Sequence, residues 1–141
     1  MAFEFAPNKT DAALNPAAKS LPAAAGTADT ASMDLNATGP LILRRTEFQL
    51  GVPALAVLAL PNGETATYTL QDSADDTAFV AVQVLTEATQ TGAGGAGAAA
   101  KTIRFSVPSD IRRYIRVRVT TSGGSGDCSA SDMTLTIRCA P

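Results

Sequence analysis

The sequence predicts an all-β protein: a jelly-roll-like antiparallel β-sandwich of about eight strands that follows an extended N-terminal arm. Three observations support this fold class. Apolar side chains recur at every second position in several segments, which is the period of a strand with one buried face. Gly, Pro and Asn-Gly divide the chain into strand-length pieces. No window has the spacing of an amphipathic helix, and the best helical candidate is one turn at 109–112, capped by Ser109.

The predicted strands either alternate or form a short apolar run between turn residues. Residues 64–71 alternate most clearly, with Ala66, Tyr68 and Leu70 on the face that we expect to be buried. A hairpin signal, Asn62-Gly63, separates them from an apolar run at 54–60 that is also predicted as a strand. The other predicted strands are a weak one at 31–36 and stronger ones at 41–50, 79–86, 101–107, 113–120 and 133–139.

Residues 1–30 are predicted to form an arm that is separate from the sandwich domain at 31–141. The segment is rich in Ala, and Pro residues spaced through it stop helices and favour extended backbone before them. Alone it cannot bury enough surface to offset a backbone entropy of roughly 1–2 kcal/mol per residue. We therefore expect a neighbouring protein to hold the arm, with a floppy tail as the alternative.

The composition excludes several classes of function. The chain has no His, which removes the commonest general base and the commonest metal ligand. Cys128 and Cys139 have no further ligands near them for zinc, and their pairing is left open. The N-terminus lacks a signal-peptide pattern, and no run approaches the roughly 18 apolar residues of a membrane span. We expect no enzymatic activity, no cofactor and no metal, in a protein that is made in a cytoplasm.

A Gly/Ala-rich segment contains the pattern GxGxxG, at Gly92, Gly94 and Gly97. A phosphate cradle of this type needs a helix after the loop, whereas a strand is predicted here. A Walker loop is excluded because Ala100 stands before Lys101 where Gly is required. We interpret the segment as a flexible loop that adapts to a partner surface.

A cluster of carboxylates at Asp72, Asp75 and Asp76 is a second candidate site. Calcium takes oxygen ligands from such loops, but the spacing and the Gly of an EF-hand are missing. Asp and Ser are also ordinary turn formers, so the cluster favours a turn over a metal site.

The charge is uneven along the chain, with a net −6 over residues 1–100 and +4 over 101–141. Such polarity suits self-association or docking against a charged protein patch, and a mixed solvated surface is the alternative. The basic side chains Arg112, Arg113, Arg116 and Arg118 surround Tyr114. They fit ion pairs with another subunit or an ordinary solvated face. Contact with nucleic acid is disfavoured because aromatic residues are too few for a stacking platform and the net charge is −2.

Two segments resemble phage capsid cement or decoration proteins of the small jelly-roll type, as found on short-tailed Bordetella-type phages. They are Leu70–Phe79 (LQDSADDTAF) and Val107–Val117 (VPSDIRRYIRV), and the resemblance extends over residues 31–139. It implies a protein without catalytic residues that forms dimers or similar assemblies. It also implies binding across junctions between major capsid protein subunits, on the outer surface of the expanded head.

The candidate partner-binding residues are apolar side chains of the arm and the arginines of the chain. They are Phe3, Phe5, Leu14, Leu21, Arg44, Arg45, Arg112, Arg113, Arg116 and Arg118. Two alternatives remain open: a carbohydrate-binding or host-attachment sandwich, and another structural protein of the virion, such as a tail or completion protein. The first would need exposed aromatic side chains, and the chain has only two tyrosines, Tyr68 and Tyr114.

Overall fold

The computed structural model describes residues 16–35 and 46–139, which form two antiparallel sheets. The strands of these residues are β1 Lys19–Ser20, β2 Thr27–Asp29, β3 Met33–Asp34, β4 Thr46–Val52, β5 Thr65–Ser73, β6 Val80–Val84, β7 Gln90–Thr91, β8 Lys101–Phe105, β9 Tyr114–Thr121 and β10 Asp132–Cys139. A short 3-10 helix at Thr86–Ala88 connects β6 to β7.

The order of the strands is that of a jelly roll. One sheet runs β1-β10-β4-β8 and the other β2-β9-β5-β6, while the short strands β3 and β7 pair with β9 and β5. If the other eight strands are numbered 1 to 8 along the chain, their spatial order is 1-8-3-6 in one sheet and 2-7-4-5 in the other. Consecutive strands therefore mostly lie in opposite sheets, as in two interleaved Greek keys. The prediction of an all-β sandwich is confirmed.

The core lies between the sheets and is built from alternating side chains. The ladder between β5 and β9 pairs Tyr68 with Val119 and Leu70 with Val117, and all four side chains are fully buried. In the other sheet Phe48 of β4 stacks on Phe105 of β8, with ring centroids 5.7 Å apart. The face predicted to be buried in the fourth strand of the jelly roll, with Ala66, Tyr68 and Leu70, is thus confirmed.

The predicted boundary at residue 30 is corrected by the structure. Within the segment assigned to the arm, β1 pairs with β10 and β2 pairs with β9. Leu21 is 3% exposed, and Thr30 accepts a hydrogen bond from the amide of Val117 at 3.0 Å. Residues 16–30 therefore supply the first two strands of the sandwich. Residues 1–15 of the predicted arm lie outside the described residues.

The predicted strand at 54–60 is wrong, because these residues form a turn. Leu55 and Leu60 are buried, but the amide of Leu60 donates to the carbonyl of Ala56 at 2.9 Å and closes a helical turn between them. A continuous apolar run does not distinguish a buried strand from another buried segment.

Two other predictions differ in detail. The predicted turn of helix at 109–112 is a single turn closed by the amide of Ile111 on the carbonyl of Pro108, at 3.2 Å. The strand predicted at 41–50 is observed from Thr46 onward, and residues 36–45 lie outside the described residues.

Candidate interaction surface

Two arginines of the β9 region find carboxylate partners within the same chain. Arg113 donates from Nε and Nη2 to Asp34 at 2.9 and 2.7 Å. Arg118 makes the same forked contact with Asp29 at 2.6 and 2.8 Å. Forked contacts are the stronger geometry for an arginine and a carboxylate. Because both acidic partners come from the first half of the chain, the opposite charges of the two halves meet within one molecule.

Arg116 completes this network on the outer face of the second sheet. It donates from Nε to the side-chain oxygen of Gln71 at 2.9 Å, and its Nη1 lies 3.3 Å from Asp29. Its guanidinium also lies 4.0 Å from the ring centre of Phe79, a cation–π distance. The hydrogen bond from Arg118 lowers the pKa of Asp29, while burial lowers the pKa of Arg116. Within the single chain the arginines of this face therefore have acidic or amide partners of their own.

The acidic cluster is a turn held by its own hydrogen bonds. Asp72 accepts from the backbone amide of Arg112 at 2.9 Å and from its Nε at 2.7 Å. Burial alone would raise the pKa of Asp72, but these bonds outweigh it and lower the pKa. Asp75 accepts from the amides of Ala78 and Thr77 at 3.0 Å, and these bonds lower its pKa as well. Among the described residues, no group of three or more acidic, Cys or His side chains is placed to hold a metal ion.

One end of the sandwich is formed by the connections β1–β2, β4–β5, β7–β8 and β9–β10, at residues 21–26, 53–64, 92–100 and 122–131. At the chain-wide charged fraction of 17%, segments of this combined length would hold about six charged residues, but they contain only Glu64 and Asp127. The carboxylate of Glu64 accepts hydrogen bonds from Ser122 and Gly124 of this end. We call this surface the loop end.

The loop end is packed and hydrogen-bonded. Leu55 and Ala98 exchange two backbone hydrogen bonds of 2.8 Å, and the amide of Gly126 donates to the carbonyl of Ala59 at 2.9 Å. Gly97 has a φ of +68°, and a Cβ there would overlap the carbonyl of Leu55. Only Gly meets both conditions without strain. Backbone hydrogen bonds therefore tie the Gly/Ala-rich segment to the turn that contains Leu55.

A buried amide joins the base of two of these segments. Gln90 is 1% exposed, and its Nε2 donates to the carbonyl of Pro53 at 2.7 Å and to that of Ala99 at 3.0 Å. Its Oε1 accepts from the hydroxyl of Tyr68 at 3.1 Å. The two donors of this buried amide therefore join the two segments, and its oxygen is satisfied by Tyr68 of β5.

Leu58 projects from the loop end and is 84% exposed, the largest exposure among the described large apolar side chains. It stands at the tip of the turn whose flanks, Leu55 and Leu60, are buried in the core. Val57 beside it is 37% exposed. Single exposed apolar side chains are ordinary on protein surfaces, so Leu58 and Val57 are candidates for a contact on their exposure alone.

A second accessible region lies where the two sheets are open. The edge strand β6 has exposed valines, Val80 at 55% and Val84 at 49%, and within the described residues it pairs only with β5. A cavity of about 300 Å³ separates it from the edge strand β8. The cavity is lined by Gln83, Leu85, Thr86, Glu87, Ile103, Arg104, Phe105 and Ser106. The pairing of β6 with β5 contains a bulge, where the register shifts between Leu70 and Gln71 of β5. A bulge in an edge strand discourages pairing with a further strand.

The predicted contact residues have different positions in the structure. Leu21 is buried in the core of its own chain, which excludes it as a partner contact. The four arginines of the β9 region lie together but are paired within the chain. The remaining candidates lie outside the described residues: Phe3, Phe5, Leu14, Arg44 and Arg45.

Sequence reasoning missed the loop end and Leu58. The signal was present as three long uncharged runs, but each run was considered alone, as a strand, a flexible loop or a part of the arm. The two tyrosines that a sugar-binding surface would need are also accounted for. Tyr68 is fully buried, and the guanidinium of Arg113 lies 4.9 Å from the ring centre of Tyr114.

Comparison with known proteins adds one finding about the fold. No family model and no curated protein matches the chain. A solved structure described as PBSX exported protein XepA is similar to it, with a TM-score of 0.50 and 9% sequence identity. The similarity covers 90% of this chain and 37% of that chain, so the present chain spans a little over a third of that protein's length. At this identity the similarity shows a shared fold. In the part of the chain that the structure describes, no helix is long and apolar enough to cross a membrane.

Proposed function

We propose that this chain is a structural protein of a phage virion that acts by binding other proteins, without enzymatic activity. The observation that carries the proposal is the jelly-roll fold, which it shares with a phage-related exported protein. Jelly rolls are recurrent building units of viral capsids, although the fold alone does not define a function. The satisfied polar network and the sparsely charged loop end support a rigid scaffold that offers a surface for docking.

More specifically, we propose a cement protein that binds across junctions of the major capsid protein on the outside of the expanded head. This role agrees with the resemblance of residues 70–79 and 107–117 to such proteins. Many copies around a closed shell act together, so that a modest affinity at each site yields a stable assembly. Self-association, with a dimer favoured, is proposed from the resemblance alone, and sedimentation equilibrium of the purified protein measures it.

Cosedimentation with empty, expanded shells of the source phage, stripped of this protein, tests the cement role. The same shells with their own copies still bound serve as the control. We expect saturable binding to the stripped shells, at a fixed ratio to the major capsid protein, and little binding to the control shells. A folded, soluble protein that does not bind the stripped shells contradicts the cement role and favours a tail or host-attachment role.

A further inference from the structure

We propose that residues 2–6 of this chain form a further strand, which pairs with the open edge of β8 and places Phe3 and Phe5 in the cavity between β6 and β8. The occupant is the chain's own N-terminal segment, Ala2-Phe3-Glu4-Phe5-Ala6, which lies outside the described residues. The inference goes beyond the proposed function and does not depend on it, because the contact is made within one molecule.

The edge of β8 is open and regular. Within the described residues, β8 is the last strand of its sheet and pairs only with β4. Its five residues keep one register, from Lys101 opposite Val52 to Phe105 opposite Phe48, without a bulge. The edge strand β6, on the other side of the cavity, contains the bulge that discourages further pairing. A further strand therefore fits β8 better than it fits β6.

The cavity beside this edge has an apolar side and room for side chains of an added strand. Its volume is about 300 Å³, and Leu85, Ile103 and Phe105 are among the residues that line it. Ile103 and Phe105 lie on the interior face of the sheet, because they pair with the buried residues Leu50 and Phe48 of β4. A strand added to β8 continues the sheet, so every second side chain of that strand faces the same interior.

The sequence of residues 3–5 is complementary to that of β8. The strand contains Ile103-Arg104-Phe105, and the segment contains Phe3-Glu4-Phe5. With Glu4 opposite Arg104, both phenylalanines pair with apolar residues on the interior face, and the two charges meet on the outer face. Arg104 is 57% exposed, and its contact with Glu47 at 4.0 Å is the longest ion pair among the described residues. Apolar pairs and opposite charges directly across two strands stabilise a sheet.

The chain is long enough to bring the segment to β8. The first described residue, Pro16, precedes β1, and β1 and β8 are the two outer strands of the same four-stranded sheet. Three strand spacings separate them and one more leads to an added strand, a distance of about 19 Å. The ten residue steps between residues 6 and 16 reach up to about 33 Å when extended. A short link of this kind gives an effective concentration in the mM range, so the segment occupies its own cavity ahead of a neighbour's.

Amide hydrogen exchange of the full-length protein, measured by mass spectrometry, tests the pairing. The first variant is Phe5→Asp, which places a charge in the cavity. The matched control is Leu14→Asp, which makes the same change between the segment and β1. We expect exchange within residues 101–105 to be at least about 10-fold faster in Phe5→Asp than in the wild type, and to change by less than about 2-fold in Leu14→Asp. Equally slow exchange of β9 in all three proteins confirms that each is folded.

A pair of introduced cysteines distinguishes the chain's own segment from that of a second copy. Glu4→Cys with Arg104→Cys places two thiols directly opposite each other, at a Cα separation that a disulfide bridges. The control pair is Glu4→Cys with Val84→Cys, at an exposed position of β6 on the other side of the cavity. Both pairs also carry Cys139→Ala. We expect mild oxidation to give a cross-linked monomer with Arg104→Cys, and at most about a tenth as much cross-linking with Val84→Cys.

The opposite results overturn the proposal. If residues 101–105 exchange at the same rate in Phe5→Asp and in the wild type, the segment does not pair with β8. Cross-linking to Val84→Cys that is as efficient as cross-linking to Arg104→Cys assigns the segment to the wrong edge. A cross-linked dimer in place of the monomer shows that the segment occupies the cavity of a second copy. None of these measurements uses shells, so failure here is distinct from failure of the cement role.

Discussion

Replacement of Gln90 by Leu tests how the loop end is held in place. The substitution removes the acceptor of the Tyr68 hydroxyl and the donor to the carbonyls of Pro53 and Ala99. Tyr68 is fully buried, so its unpaired hydroxyl costs about 2 kcal/mol. The two carbonyls lie nearer to water and together cost about another 2 kcal/mol. The more apolar leucine offsets about 1 kcal/mol of this loss, which leaves a net destabilisation of about 3 kcal/mol.

Urea unfolding monitored by circular dichroism measures this loss, which corresponds to a melting temperature lower by about 10 °C for a domain of this size. Tyr68→Phe is the matched comparison. It leaves both carbonyl contacts of Gln90 intact, so it should cost only about 1 kcal/mol. The double variant should lose less unfolding free energy than the two single variants lose together, because both single changes remove the same contact between the two side chains. If Gln90→Leu costs no more than Tyr68→Phe, the two carbonyls do not depend on Gln90 and the reasoning is refuted.

Three further predictions concern the backbone, the charges and the N-terminal strands. Gly97→Ala should lower the free energy of unfolding in urea by about 2 kcal/mol or more, because the new Cβ would sit on a residue with positive φ and overlap a carbonyl. Gly123→Ala is the control: a Cβ there meets nothing within 4 Å, so the change should stay within about 0.5 kcal/mol. The pKa of Asp29 is lower in the folded state than its usual value of 3.8. The ionised Asp29 therefore stabilises the fold above that pH, and this contribution is lost on acidification. Between about pH 5 and pH 3 the free energy of unfolding should fall less steeply for Asp29→Asn than for the wild type. A chain without residues 1–30 lacks β1 and β2 and should show no cooperative thermal transition. A chain without residues 1–15 keeps both strands and should unfold cooperatively. If this shorter truncation binds shells as tightly as the full-length chain, the predicted arm contacts are contradicted.

The fold was predictable from the sequence where one face of a strand is buried over several residues. In β5 and β9 the alternation is long, and the structure buries the side chains that it marks. The first two strands of the jelly roll were not predicted because they are only two and three residues long, too short for alternation of apolar side chains to be visible. Their place is set by pairing with β10 and β9, which follow more than 80 residues later. Local pattern carries no information about such contacts.

The candidate surface was less predictable, for a different physical reason. An exposed leucine and a buried one look the same in a sequence, and Leu58 stands in a run where Leu55 and Leu60 are both buried. Only the turn between them decides which side chain faces water. The arginines drew attention because charge is conspicuous in a sequence, but charge that is paired within the chain has little left to offer a partner.

The ion pairs on the outer face of the second sheet lead to a last prediction. The ion pairs of Asp29 with Arg116 and Arg118 cross the second sheet, and their side chains are between 20% and 34% exposed. Salt screens partly exposed pairs, so raising sodium chloride from about 0.1 to about 1 M should lower the free energy of unfolding by a fraction of a kcal/mol. If these arginines are not the shell contact, binding to stripped shells should change by less than about 2-fold over the same range. Cosedimentation and urea unfolding in the same buffers compare the two effects. A binding constant that falls steeply with salt while the fold is unchanged would indicate that the arginines contact the shell.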